Sequence, residues 1–437
     1  MVHPIRSKAF ILGGILLFGF NALTQPAKNE ITFEPYIWKS DPPADCPFEQ
    51  SEDITGVMFT GRSSNYYLAD TWYFSWASDD KLYSPFTDGS VPRLDGSRDE
   101  SISWKYPFVT GQAAAEGDDP VNLKIYSLGL TPSPPEPYGG RYPCGSLVYN
   151  GIWYYGTYCL APEGTTFFGD DKYNWPWLGP LVGFRISRDL GRTWEASPHT
   201  PENSLFNETG MHGYPVKIGA PHFVDFGKNM EHSPDGYAYL VGHGAEYPDE
   251  KSRFANLSWI SGDQIYMIRV IPSVENINDP SKYEFFSGYD GKGKPTWSHD
   301  FQSIKPMIDW NNNCGCVTIT YNAPLKKNLM CVTDGWPTVE KMNSYILESD
   351  HVSGPWKLVV YMKDFGEQGY FLNFPSKFIS EDGKDVWLCY SGNFATNWRD
   401  IKIEEDPPGS HYGLVLQKIQ FLDQRSYDKH KSKVKKD

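Results

Sequence analysis

Five times along this 437-residue chain an apolar segment opens near a turn residue or an Asp, turns, and returns as an aromatic-rich strand ending in small or polar residues. The copies run from Leu68 to Ser84, Tyr142 to Tyr158, Ala220 to Gly242, Lys305 to Tyr321 and Phe374 to Gly392. With Asp70, Pro143, Pro221, Pro306 and Pro375 as anchors, the steps are 73, 78, 85 and 69 residues, room for four strands and a loop. Spacing this regular marks a repeat architecture in which each unit buries its apolar face on the next. The pattern predicts an all-β chain, a five-bladed β-propeller of four-stranded antiparallel blades.

Period-two runs after each hairpin, at Leu181–Ile186, Ile265–Val270, Tyr345–Glu348 and Leu414–Ile419, supply the outer strands. Helical periodicity is almost absent, and 40 Gly and 34 Pro suit a turn-rich sheet protein. One domain over residues 31–425 is expected, closed by a strand from an end, either the run from Ile31 to Ile37 or that from Ile54 to Thr60. The tail, 426–437, reads as a basic disordered end.

His3, Arg6 and Lys8 precede the apolar run from Ala9 to Phe20, so residues 1–25 read as a signal peptide and the protein as secreted or periplasmic. The net charge of −14 excludes a nucleic-acid partner. A monomer is expected. Asn207-Glu-Thr and Asn256-Leu-Ser match the N-glycosylation pattern. Cys316 and Cys331 fall opposite each other if Ala323-Pro324 centres a hairpin, which allows a disulfide. Cys314-Gly-Cys316 lacks the second pair a metal site needs, so no metal is expected. Gly117-Asp-Asp-Pro-Val-Asn122 could take a structural calcium ion, but it has too few oxygens and suits an Asx-turn better.

Ser187-Arg-Asp-Leu-Gly-Arg-Thr-Trp194 matches the Asp-box of sialidases and other propellers, a structural turn. Ser349-Asp-His-Val-Ser-Gly-Pro-Trp356 is similar to a blade turn of glycoside hydrolase family 43. From Tyr66 to Leu422 the chain thus resembles the five-bladed carbohydrate-active enzymes, those of family 43 and related families of unassigned activity. The resemblance implies an Asp general base on blade one, an Asp on blade two and a Glu acid on blade three. Asp70 matches the first; Pro143-Cys-Gly-Ser and Pro221-His222 match neither of the others, which puts ordinary hydrolysis in doubt.

In a propeller the innermost strand of each blade begins beside the axis and the next strand returns to the same face. The rule gathers Asp70, Arg141, His222, Lys305 and Lys377, and beside them Asp88, Tyr158, His243 with Glu246, Asn322 and Asn393. The cations suggest an anionic sugar such as a uronate, unless the lysines are solvated strand-edge residues. His222 and His243 are acid or base candidates, or else satisfied buried histidines. Asp70 and Glu246 are the candidate carboxylate pair, although a turn-capping Asp and a solvated acidic loop would look the same. Trp72, Asn256 and Trp259 are candidate sugar contacts, with a core role the alternative for Trp259.

Three functions fit these residues. The leading one is an exported glycoside hydrolase acting on a polysaccharide or glycoconjugate, through Asp70 and Glu246. The second is a uronate lyase in which His222 or His243 takes the proton and Arg141, Lys305 or Lys377 neutralises the carboxylate. The third is a non-catalytic propeller that binds glycan or protein.

Overall fold

The computed structural model describes residues 29–103, 108–132, 139–167, 174–210, 214–247, 258–335, 341–393 and 405–435. Five antiparallel sheets stand around one axis, each running from an innermost strand outwards. Blade one orders Ser75–Trp76, Leu82–Phe86, Val109–Glu116 and Lys124–Pro132, and carries an added hairpin of Gly89–Pro92 with Arg98–Ser101. Blade two has Gly139–Tyr149, Ile152–Phe167 and Asn174–Ser187. Blade three has Gly219–Phe223, Ala238–Gly244, Gln264–Val270, Glu284–Tyr289 and Pro295–Ser298, with the short strand Ile308–Asp309 paired to the third of these as a sixth. Blade four has Val317–Asn322, Lys327–Asp334, Asn343–Ser349 and Lys357–Met362. The expected four strands therefore hold for blades one and four, while blade two is narrower and blade three wider.

Blade five closes the ring. Tyr370–Asn373, Asp385–Ser391 and Val415–Leu422 come from the C-terminal part, and Gly56–Ser64 from the N-terminal part pairs beside the last of them. Glu30–Thr32 adds to the outside of that strand. Both candidate closing runs are thus used, side by side. The ring is thus fastened by hydrogen bonds between strands from the two ends of the chain.

Successive side chains on a strand point to opposite faces, and in a propeller each face meets a different blade. Leu240 joins the apolar layer between blades two and three, whereas its neighbours Tyr239 and Val241 join that between blades three and four. The same alternation fills the layers between four and five, five and one, and one and two. Burial on both faces explains why the inner hairpins read as aromatic and β-branched with little polar alternation.

The fourth blade corrects the repeat. Its innermost strand is Val317–Asn322, eleven residues past Pro306, and Lys305 belongs to the outer edge of blade three, where its N–H donates to Phe286 O at 2.8 Å. The inner hairpin turns through Ala323 to Lys326, which sets Cys331 opposite Thr318. Cys316 and Cys331 are out of register, and all seven cysteines are free thiols. In blade five the strand opens at Tyr370, so Pro375 and Lys377 lie past its far end.

The tail is ordered as far as residue 435. Gln424–His430 is a helix whose first turn is capped by Asp423, which accepts from Ser426 N at 2.7 Å. Val434 then bridges Ile37, and Lys435 lies 4.4 Å over the Trp38 ring and pairs with Asp406. Residues 1–28, which hold the expected signal peptide, lie outside the described residues.

The Asp189 carboxylate accepts from Thr193 N at 2.8 Å and Thr193 Oγ1 at 2.7 Å, while Ser187 Oγ accepts from Gly191 N at 2.8 Å. Trp194 packs on Trp153 and Tyr155 between blades one and two. This turn holds blades together and lies far out on the sheet. At the proposed calcium turn, Asp119 accepts from Asn122 Nδ2 at 2.7 Å and Asp118 pairs with Lys377 at 3.0 Å, so both carboxylates are engaged in local bonds.

Candidate active site at the axial mouth

Three innermost strands open in the same way. Thr71, Ala220 and Phe371 have φ of +27°, +41° and +55°, a region that side-chain-bearing residues seldom adopt. Strain of this sort clusters where side chains must be aimed. Thr71 follows Asp70, which bridges Thr87 shortly before Ser75–Trp76, while Ala220 and Phe371 follow the opening residues Gly219 of blade three and Tyr370 of blade five. Where blade three offers Gly219, a Cβ would come within 2.1 Å of Leu178, so the position has no room for an acid.

Asp70 is 6 % exposed. Its Oδ2 accepts from Tyr370 Oη at 2.6 Å, and its Oδ1 has no hydrogen-bond partner. Its backbone exchanges bonds with Thr87, which brings the next residue, Asp88, to the same mouth. Asp88 accepts from Ser103 N at 2.7 Å and Ser103 Oγ at 2.5 Å. Tyr412 spans the two, donating to Asp88 O at 2.7 Å and lying within the field of both carboxylates.

Burial, and then the charge of Asp88, push the Asp70 carboxyl well above the usual carboxylate range, against the hydroxyls of Tyr370 and Tyr412. Asp88 is also raised by burial, but its Ser103 bonds pull it back. Two neighbouring carboxylates in low dielectric disfavour each other's ionisation, so one of them is the readier to keep a proton. Asp70, deeper and less bonded, is the one that keeps it.

Five tyrosines lie within electrostatic reach of Asp70. Tyr142 and Tyr158 stack at 5.4 Å, and Tyr73, Tyr370 and Tyr412 complete the ring around Asp70. Trp259 lies edge-on to Tyr370 at 5.3 Å and stacks on Phe371 at 5.6 Å. Asp88, Tyr142, Trp259 and Tyr412 are half-buried, so the cluster is reached from that side.

Deeper on the axis, His222 stacks on Tyr73 at 3.7 Å, and neither ring nitrogen has a partner. His243 Nε2 meets Ser258 O at 3.1 Å. Burial lowers both imidazoles, His222 to about 3 with help from His243, and His243 to about 4. Below His222 a cavity of about 30 Å³ is lined by Tyr73, Asp225, Thr318, Thr320 and Asn373.

The structure thus brings Asp70, Asp88, Tyr158, His222, His243 and Trp259 together at the axis and sets the following residues apart from it. Glu246 is exposed on the rim of blade three, paired with Lys217 at 3.6 Å. Trp72 is core between blades one and five, its Nε1 donating to Ala69 O at 2.6 Å. Lys305 is exposed on an outer edge. Lys377 is on the opposite face, pairing with Asp80 at 3.3 Å and Asp118 at 3.0 Å. Asn322 is on that face too, its Nδ2 donating to Gly383 O at 2.8 Å. The Arg141 side chain and Asn256 lie outside the described residues.

Tyr370, Tyr412 and Tyr142 escaped the sequence reading, as did Glu208. The Glu208 carboxylate accepts from Lys217 N at 2.6 Å and Ile218 N at 3.2 Å, just before the innermost strand of blade three, and burial raises it to about 7. Among the described residues no group of three or more His, Cys, Asp or Glu could hold a metal ion.

An antiparallel five-bladed propeller with buried carboxylates at its axial mouth is the class that fold and site define. No protein-family model matches the chain, and neither does any curated protein. Among solved structures, a putative hydrolase from Bacteroides ovatus overlaps 89 % of this chain and 98 % of its own at 13 % identity, TM-score 0.48. The α-L-arabinofuranosidase PaAbf62A from Podospora anserina overlaps 89 % and 97 % at 12 % identity, TM-score 0.39. The GH43_1 enzyme from Xanthomonas citri overlaps 80 % and 87 % at 12 % identity, TM-score 0.43. At these scores the overlaps are likenesses of overall form, and the chemistry is argued from the residues of this chain alone.

Proposed function

We propose that this chain is an exported carbohydrate-active enzyme that hydrolyses a glycosidic bond with Asp70 and Asp88. One observation carries the reading: a buried carboxyl that favours its proton stands beside a second, half-buried carboxylate among tyrosines. Glycoside hydrolysis needs this division of labour, one carboxyl protonating the leaving oxygen while a carboxylate takes the proton of the attacking water. Asp70 is the acid and Asp88 the base in this scheme. The aromatic wall suits the apolar faces of sugar rings. Export is supported by the sequence of residues 1–25.

Asp88 replaces Glu246 as the partner of Asp70. Uronate elimination is the weaker reading: of its three candidate cations Lys305 and Lys377 are away from the axis, and imidazoles whose values burial lowers to about 3 and 4 are poor bases at neutral pH. The test is a panel of neutral and uronate polysaccharides, read for reducing ends and for the ultraviolet absorbance of unsaturated uronates. Reducing ends without absorbance are expected; both rising together would replace hydrolysis by elimination.

A further inference from the structure

We infer that the basic C-terminal tail belongs to the site: Lys435 grips Asp406 and so sets the loop 405–412, which lays Tyr412 across Asp70 and Asp88. Lys435 is a positioning residue in this account. Its effect on turnover rests on the hydrolase reading; its hold on the loop does not.

The tail is fastened along the outside of blade five. Tyr427 lies against Gly56, where a Cβ would come within 2.9 Å of its ring. Tyr427 and Val434 pack on the cluster of Ile37, Met58 and Leu422. Val434 bridges Ile37, and Lys435 N donates to Ile37 O at 3.0 Å. These contacts bring the Lys435 ammonium to a fixed place, 4.4 Å from the Trp38 ring and 5.7 Å from that of Tyr36, where it pairs with the Asp406 carboxylate. Both charged side chains are about one-third exposed, so the ion pair alone would be weak; the two aromatic faces beside the ammonium strengthen its hold.

Asp406 stands at the start of the loop. Its carbonyl accepts from Gly366 N, and its carboxylate acts on the hydroxyls of Tyr36 and Tyr390. Pro407 and Pro408 follow, and their rings fix φ and stiffen the chain. Ser410 closes the turn, its N–H and its Oγ donating to Pro407 O at 3.1 and 2.8 Å. Gln417 Nε2 donates to Pro408 O at 2.8 Å, and Tyr390 Oη meets Ser410 Oγ at 2.7 Å. His411 is held by Gly409 O at 2.8 Å and Tyr66 O at 3.2 Å, and Tyr412 Oη reaches Asp88 O at 2.7 Å.

A segment this short and stiff passes a shift at Asp406 on to Tyr412. With the ammonium gone, the Asp406 carboxylate would be drawn towards water, away from Tyr36 and Tyr390, and the loop with it. Tyr412 is one of the two hydroxyls that favour ionised Asp70, so its displacement raises the Asp70 value.

The test uses the full chain and four variants: K435M, which keeps the length of the side chain without its charge, K435R, D406N and Y412F. Amide exchange read by mass spectrometry needs no substrate. In K435M and in D406N the peptide 405–412 should exchange about tenfold faster than in the wild type, while Asp385–Ser391 of the same blade stays protected and K435R matches the wild type. On a polysaccharide that the wild type cleaves, K435M should move the alkaline limb of the pH–rate profile upwards, as Y412F does, and K435M/Y412F should move it no further than Y412F alone. Unchanged exchange of the loop in K435M, exchange raised alike throughout the chain, loosening that Arg does not rescue, an unshifted profile, or shifts that add in the double variant would each overturn the inference. Local loosening in a chain that cleaves no polysaccharide would uphold the grip and end the hydrolase reading; turnover with the loop still protected in K435M would do the reverse.

Discussion

The Tyr370 hydroxyl donates to Asp70 Oδ2 at 2.6 Å, although the two residues are 300 positions apart. The bond ties the opening of blade five to that of blade one and favours the ionised form of a carboxyl that burial otherwise keeps protonated. Tyr370→Phe removes the donor and leaves the ring in place. The apparent pKa assigned to the acid should rise, moving the alkaline limb of the pH–rate profile upwards, with a rate loss of about tenfold or less near neutrality. An unshifted profile would separate Tyr370 from the reacting carboxyl.

The buried histidines make the fold sensitive to acid. His222 and His243 have folded-state values near 3 and 4, below the ordinary 6.5. Between those values and 6.5 the unfolded chain binds more protons than the folded one, so stability is full above 6.5 and falls as pH drops. The loss is of the order of a few kcal/mol per histidine. His222→Gln should flatten the dependence of Tm between pH 6.5 and 4, measured by thermal melts in matched buffers.

Glu208 works in the opposite direction. Burial raises its folded-state value from 4.5 to about 7. Its contribution is present below pH 4.5 and is lost as pH rises through 7. Glu208→Gln keeps an acceptor for the amides of Lys217 and Ile218 and removes the charge. Its Tm relative to the wild type should therefore be higher at pH 8 than at pH 5. A difference independent of pH would show that Glu208 is not titrating in this range.

Seven free, mostly buried thiols predict a simple count. A thiol reagent added in guanidinium, without reductant, should report about seven per chain, and few without denaturant. Five under denaturing conditions would mean that a disulfide has formed.

The ring of blades was legible because both faces of every inner strand pack against a neighbour, and that demand writes aromatic and β-branched residues at near-regular spacing. In blades one to three the anchors Asp70, Pro143 and Pro221 fall within or just before the innermost strand. Blade four did not, because blade three carries an extra strand and Pro306 belongs to its outer edge; Lys305 and Asn322 were displaced with it. In blade five, Pro375 closes the strand and does not open it, which put Lys377 on the wrong face and hid Tyr370. Tyr412 lies in a loop with no motif, and only the folded ring sets it across Asp70 and Asp88. The tail reads as charged, yet its helix is fixed by the Asp423 cap and by Lys435 over Trp38, contacts that no local pattern announces.

Hydrolysis by Asp70 and Asp88 is tested most directly by reducing-end release from the polysaccharide that the wild type cleaves, measured for wild type, Asp70→Asn and Asp88→Asn, with each variant's Tm and binding to that polysaccharide recorded beside it. Loss of at least about a hundredfold in rate in both variants, with folding and binding retained, is the expected result. Release by either variant at near the wild-type rate would place the chemistry elsewhere on the propeller.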